Sequence, residues 1–100
     1  MNDNRSDIAA FNLLSDILKM YQNVRKECLA RLGEAELMLK QGSEHLHEKN
    51  YQEATVLYTR SLIWNPRDSR VYSNRALCYM RLEKMPRALE DADKCIELDP

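Results

Sequence analysis

The sequence has no excess of either charge. Its 100 residues include 15 lysines and arginines against 16 aspartates and glutamates, which gives a net charge of −1. Proteins that grip phosphate backbones carry a basic excess, so we expect no nucleic acid among the partners. Hydrophobic residues make up 44% and charged residues 31%, a composition typical of one small globular domain.

A disulfide framework, a signal peptide and a membrane span are also missing from the pattern. The three cysteines, Cys28, Cys78 and Cys95, are odd in number and irregularly spaced, which favours free thiols in a reducing compartment. Residues 1–5 lack the apolar core of a signal peptide, and no apolar run approaches the ~20 residues that span a bilayer. We therefore predict a cytoplasmic chain that does not contact membrane.

What the sequence does contain is a repeat with a period of 34 residues. Sliding the chain over itself by this period pairs Ala54 with Ala88, Pro66 with Pro100, and Gly42 with Ala76. Fixed periods of this length indicate stacked helical or mixed repeats. The period defines one unit at residues 35–68 and a second at residues 69–100, which stops two residues short of the full period.

Each unit is predicted to hold two helices joined by a tight turn. Apolar residues recur at helical spacing before the turns at Lys49-Asn50 and Glu83-Lys84. The second helix of the first unit should run from about Tyr51 to Trp64 and stop at Asn65-Pro66. Asp68 or Ser69 should cap the next helix, and Pro86 fits the first turn of the last one.

Small residues recur where close helix packing would require them. Gly42 and Ala76 are predicted to lie where the two helices of a unit cross, and Ala54 and Ala88 at the facing contact. A larger side chain at such a contact would hold the two backbones apart.

Residues 1–34 lie before the repeats and form a third segment. A helix of about 25 residues is predicted to begin at Ser6-Asp7 and end near Leu32-Gly33. Its apolar stripe comprises Ile8, Phe11, Leu14, Leu18, Tyr21, Val24 (or Arg25) and Cys28, with Leu13 and Ile17 on the flank. The helix either caps the first repeat or serves as an oligomerisation or partner-docking element.

Residues 35–100 resemble the tetratricopeptide repeat, because small residues, tyrosines and the terminal proline fall in phase. The resemblance implies an all-α fold of two antiparallel helix–turn–helix units in a right-handed α-solenoid, here preceded by an amphipathic helix. Within the family, residues 71–79 are similar to the second repeat of chaperone cofactors. Such cofactors bind the acidic C-terminal tails of heat-shock chaperones.

The resemblance also implies a carboxylate clamp of lysines, asparagines and an arginine on the concave surface. Asn74 matches the second asparagine of that clamp, whereas Ser43 and Leu39 occupy the places of the first asparagine and lysine. Lys40 lies beside Leu39 but points about 100° away around the helix, and the remaining clamp residues would lie in a third repeat. We therefore predict weak binding of a chaperone tail, with a dissociation constant above ~100 μM.

The concave groove is the predicted peptide-binding site. By phase it should present Leu39, Ser43, Leu46, His47, Arg70, Asn74, Leu77 and Arg81. The pair His45 and His47 diverges by about 160° around a helix, so we predict no metal site, and His45 should pack inward. The residues Glu90, Asp91 and Asp93 are predicted to form a solvated acidic face. No catalytic set or cofactor motif is present in the pattern.

Three functions fit these observations. The first is a protein–protein interaction adaptor, associated with chaperones, that is not an enzyme. The second is a structural module that forms homo-oligomers, because Leu89 and Ile96 would face water where a following helix would otherwise pack. The third is a regulatory fragment of a larger enzyme.

Overall fold

The computed structural model describes the backbone of residues 4–100 and the side chains of residues 7–100. Four helices follow one another: α1 Asn4–His47, α2 Tyr51–Trp64, α3 Ser69–Arg81 and α4 Met85–Leu98. The described residues contain no strand, so the all-α fold class is confirmed. The predicted bounds of α2 are also confirmed.

Two compact units divide the chain, residues 1–30 and residues 31–100. In the first unit, all side chains from residue 7 to residue 30 are exposed except half-buried Ser15. The apolar stripe is included, with Phe11 71% and Leu14 66% exposed. The further division of the chain at residues 34 and 68 stays a prediction.

Helix α1 does not end where the sequence pattern placed its end. It is described from Asn4 onward and continues past Gly33 to His47, so the predicted end near Leu32-Gly33 was wrong. A glycine within a helix costs only about 1 kcal/mol relative to alanine, and residues 34–40 are strong helix formers. The single glycine therefore does not terminate the helix.

In the second unit, the two tight turns have the same geometry one period apart. Lys49 and Glu83 both adopt left-handed backbone conformations, with φ of 63° and 60°. The Asn50 N–H donates to the His45 carbonyl at 2.8 Å, and the Lys84 N–H donates to the Tyr79 carbonyl at 2.8 Å. These are Schellman motifs, which usually place glycine at the left-handed position. The turns predicted at Lys49-Asn50 and Glu83-Lys84 are confirmed.

The start of α3 is fixed by a side-chain cap. Asp68 accepts a hydrogen bond from the Arg70 N–H at 3.1 Å, and it is the N-cap residue of α3. Hydrogen bonding from Arg70 holds the pKa of the Asp68 carboxyl below its usual value. Pro86 lies in the first turn of α4, where its missing N–H leaves no helical bond unmade.

The core of the second unit forms around Tyr58, which is fully buried. It belongs to a cluster of buried apolar residues, namely Leu39, Ala54, Tyr58, Leu62, Val71 and Cys78. The Ser61 hydroxyl ties α2 to α1 by donating to the Ala35 carbonyl at 2.8 Å. Ala54 and Ala88 are 0% and 4% exposed, as expected for small residues at close helix contacts.

Gly42 of α1 packs directly against Tyr58 of α2. A Cβ atom added to Gly42 would lie 2.9 Å from Cε1 of Tyr58, which is closer than carbon atoms pack. The predicted steric reason for a small residue at this position is thus confirmed, and the residue that imposes it is Tyr58.

An ion pair between α3 and α4 corrects one expectation. Asp91 is only 5% exposed and accepts two hydrogen bonds of 2.7 Å from the Arg75 guanidinium. Arg75 also donates to the Thr59 hydroxyl at 3.1 Å and lies over the rings of Tyr72 and Tyr79. The prediction of a solvated acidic face was therefore wrong for Asp91, although Glu90 and Asp93 are exposed.

Candidate peptide-binding face

Neighbouring parts of α1 and α3 carry all eight residues predicted for the groove. A salt bridge between Glu36 of α1 and Arg70 of α3 joins the two helices, and these residues are one period apart. Leu39 of α1 also shares one buried cluster with Val71 and Cys78 of α3, so these parts of α1 and α3 lie next to each other. We call the surface that they share, formed by residues 36–47 and 70–81, the α1–α3 face.

Two of the predicted residues form the base of this face rather than its surface. Leu39 is 8% exposed and belongs to the buried cluster, and Leu46 is partly buried against that cluster. Their burial limits how much of either side chain a ligand could touch. Their apolar contact instead fixes the position of the polar residues beside them.

Tyr58 connects the core with two of the predicted polar residues. Its hydroxyl lies 3.1 Å from the Ser43 hydroxyl. Burial raises the pKa of Tyr58, and hydrogen bonds with Ser43 and Asn74 oppose that rise. The Tyr58 hydroxyl thus contacts Ser43 of α1, and Asn74 of α3 is a polar neighbour of the same tyrosine.

A shallow hollow of about 470 Å³ lies along α1 next to Ser43. Its lining residues are Lys40, Ser43, Glu44, His47 and Glu48. Ser43 and His47 were predicted for the groove, whereas Lys40 was set aside as pointing elsewhere. The structure places Lys40 in the same hollow, because residues four and seven apart share one side of a helix. The spacing of Lys40, Glu44 and His47 in the sequence could have revealed this stripe.

The remaining predicted residues lie on α3. Arg70 is exposed and donates to Asp68 at 2.7 Å and to Glu36, so its charge is shared between two carboxylates. Arg81 is exposed, and Leu77 is 39% exposed. Their role in binding stays a prediction.

The chemistry available on the α1–α3 face is that of hydrogen bonding and charge pairing. Lys40 supplies an ammonium group, and Ser43 and Asn74 supply donors and acceptors that suit peptide groups or a carboxylate. Behind them, burial raises the pKa of the Cys78 thiol to about 11, so this cysteine is a packing residue rather than a nucleophile. Among residues 7–100, no three potential ligands are grouped as a metal site would need.

Comparison with known sequences identifies the repeat. The family model described as tetratricopeptide repeat matches residues 69–100. Hsp70-Hsp90 organizing protein 1 of Glycine max is 51% identical over 61 residues, covering 61% of this chain and 11% of that protein. U-box domain-containing protein 70 of Oryza sativa subsp. japonica is 41% identical over 97 residues, covering 79% of this chain and 12% of that protein. The chain thus spans about one eighth or less of the length of these relatives.

Solved structures agree with the sequence relatives on the fold. A complex described as the TPR2B domain of yeast Sti1 with a pHsp70 peptide has a TM-score of 0.65 at 36% identity, covering 67% of this chain and 54% of that one. The first TPR of Spaghetti (RPAP3), bound to the HSP90 peptide SRMEEVD, has a TM-score of 0.66 at 26% identity, covering 68% and 54%.

The fold and the comparisons together define a tetratricopeptide repeat solenoid. Within that class, the chain resembles the repeat domains of chaperone cofactors, as the residues around Asn74 had indicated. None of the helices that the structure describes is both long enough and apolar enough to cross a membrane.

Proposed function

We propose that this chain is a protein–protein interaction adaptor that binds an extended peptide of its partner on the α1–α3 face. The observation that carries the proposal is the contact between the hydroxyls of Ser43 and Tyr58, with Asn74 of α3 as a polar neighbour of Tyr58 and with Lys40 and Ser43 lining one hollow. Extended peptides are recognised by converging polar groups of this kind. The predicted groove residues Leu77 and Arg81 extend the same face along α3.

The partner that we propose is the acidic C-terminal tail of a heat-shock chaperone. The support is the resemblance to cofactor domains, two of which are described in complexes with HSP90 or Hsp70 peptides. Binding by this chain should be weak, because Leu39 is buried where such clamps carry lysine and Ser43 stands in place of asparagine. Lys40 is the residue that supplies positive charge nearby.

The proposal also covers catalysis, location and the classes of partner. The chain binds rather than catalyses, uses no cofactor and acts in the cytoplasm. Its partners are proteins, with neither nucleic acid nor membrane among them. Regulation of a larger enzyme stays an alternative, since U-box domain-containing protein 70 is among the relatives.

Homo-oligomerisation is a second candidate, and the exposed side of α4 favours it. Met85, Leu89 and Ile96 are 52%, 63% and 64% exposed. The positions one period earlier are Tyr51, Thr55 and Leu62, of which Thr55 and Leu62 are buried. A second copy of the chain could bury such apolar surface.

Titration of the peptide Ser-Arg-Met-Glu-Glu-Val-Asp tests the adaptor proposal. We expect saturable binding with a dissociation constant above ~100 μM, equivalent to ~5.5 kcal/mol, and loss of binding when the terminal carboxylate is amidated. Asn74→Ala should weaken binding, whereas Ser73→Ala, a matched change at an exposed neighbour, should not. Equal effects of the two substitutions would contradict the proposed site. A dissociation constant at or below ~1 μM would contradict the weak clamp.

A further inference from the structure

The first unit carries an apolar stripe in which the order of residue types (charged, aromatic, leucine, leucine, aromatic, charged) is the same in both directions. Along α1, Asp7, Phe11, Leu14, Leu18, Tyr21 and Arg25 follow one another at spacings of 4, 3, 4, 3 and 4 residues. This spacing keeps all six on one side of a helix. Two aromatic residues enclose two leucines, and one acid and one base enclose the aromatic pair.

All six residues are exposed. The four apolar members, Phe11, Leu14, Leu18 and Tyr21, are 71%, 66%, 56% and 65% exposed. A row of Leu13, Ile17, Met20 and Val24 lies beside them and is 52% to 65% exposed. A soluble chain rarely leaves so wide an apolar face in water.

Charge along this part of α1 distinguishes the possible partners. Residues 7–18 contain two acids and no base, whereas residues 19–31 contain four bases and one acid. A second copy placed parallel would set Asp7 against Asp7 and Arg25 against Arg25. A second copy placed antiparallel sets Asp7 against Arg25 at both ends, Phe11 against Tyr21, and Leu14 against Leu18. Only the antiparallel pair joins opposite charges while burying the whole stripe.

We infer that residues 7–25 of α1 bind a second copy of this chain as an antiparallel helix pair, centred near Asp16. This inference rests on the proposed self-association, but it assigns the interface to residues 7–25 of α1 instead of the exposed side of α4, and it adds the orientation. The segment from Asp7 to Arg25 is about 27 Å long at 1.5 Å per residue. The α1–α3 face takes no part, since every residue of the stripe precedes residue 31.

Sedimentation velocity on the full chain, from about 5 to about 500 μM, tests the interface. The wild-type chain should show a reversible monomer–dimer equilibrium. Leu14→Ser combined with Leu18→Ser should weaken the dimer at least about tenfold. The matched control, Asn12→Ser with Asn23→Ser on the polar side of the same helix, should leave it within about twofold. Urea unfolding of the second unit is recorded for each variant to verify that its fold is intact.

Charge exchange tests the orientation. Asp7→Arg alone and Arg25→Asp alone should each weaken the dimer, because each sets like charges against one another in the antiparallel pair. The double variant D7R/R25D should restore wild-type association. In a parallel pair the double exchange would still set like charges together and would restore nothing.

The outcomes separate the two proposals. A monomer at every concentration would overturn both the self-association and the interface named here. A dimer that survives Leu14→Ser with Leu18→Ser would leave self-association standing and overturn this interface. The antiparallel orientation would be overturned if Leu14→Ser with Leu18→Ser abolished the dimer but D7R/R25D failed to restore wild-type association, and if mild oxidation formed a Cys28–Cys28 disulfide. A parallel pair would bring these exposed thiols together.

Discussion

The two repeats have the same backbone conformation at their turns but differ in their buried side chains. In the first, the large buried side chain is Tyr58, and Gly42 makes room for it. One period later the corresponding residues are Ala92 and Ala76, and α3 is joined to α4 by the Arg75–Asp91 ion pair. The left-handed turn residues Lys49 and Glu83, by contrast, are equivalent. The period therefore specifies the turns, the 14-residue length of α2 and α4 and the small contact residues, whereas the larger buried side chains differ between the repeats.

Loss of the Arg75–Asp91 ion pair should have the largest effect on the free energy of unfolding. Asp91→Ala leaves the Arg75 guanidinium, whose side chain is 17% exposed, without its carboxylate, and breaking a buried pair costs about 3–5 kcal/mol. Urea unfolding monitored by circular dichroism should show this loss. The control is Asp93→Ala, an exposed acid, which should change the free energy of unfolding by less than about 0.5 kcal/mol. Equal melts for the two variants would mean that the ion pair contributes nothing.

A second test addresses what the two repeats share. Ala54→Leu and Ala88→Leu should each lower the free energy of unfolding by about 1–3 kcal/mol, because both overfill a close helix contact. The effects should be similar in size, since both residues are buried one period apart. Melts unchanged by either substitution would count against the helix pairing.

A third test concerns the contact between α1 and α2 at Gly42. Gly42→Ala should destabilise the chain by about 1–2 kcal/mol, since the clash with buried Tyr58 outweighs the gain in helix propensity. Gly33→Ala is the control within the same helix, because a Cβ there meets nothing within 4 Å. It should instead stabilise the helix by about 0.5–1 kcal/mol. A stabilising effect of both substitutions would show that Tyr58 can move aside.

The smallest expected effect concerns the turns. Lys49→Gly and Glu83→Gly should each raise the free energy of unfolding by up to about 1 kcal/mol, because glycine adopts the left-handed conformation without steric cost. The gain at the two positions should agree, as their backbone angles do. A loss at either one would show that its side chain contributes more than the strain it introduces.

Features with a local physical cause were predictable from the sequence. The turn at Lys49-Asn50, the stop at Asn65-Pro66 and the small residues at Ala54 and Ala88 each depend on neighbours at fixed spacing. The continuation of α1 through Gly33 was not predictable in the same way, because a lone glycine weakens a helix without ending it.

Features that depend on contacts between distant residues were missed. Burial of Asp91 follows from Arg75, which is 16 residues away, and nothing in the local pattern of acids marks one of them as paired. The contact of Ser43 with Tyr58 joins residues 15 apart in the sequence. Lys40 was set aside by an angle measured from Leu39, whereas Leu39 is buried and Lys40 lines the hollow next to Ser43.

The binding face itself is tested most directly by nuclear magnetic resonance. Amide shifts of the labelled chain are followed while the peptide Ser-Arg-Met-Glu-Glu-Val-Asp is added to about 1 mM, which is about ten times the lower bound of ~100 μM expected for the dissociation constant. The account predicts that the changes concentrate at Lys40, Ser43, His47 and Asn74, and that Asn74→Ala abolishes them. Changes confined to the exposed side of α4, around Leu89 and Ile96, would contradict binding at the α1–α3 face.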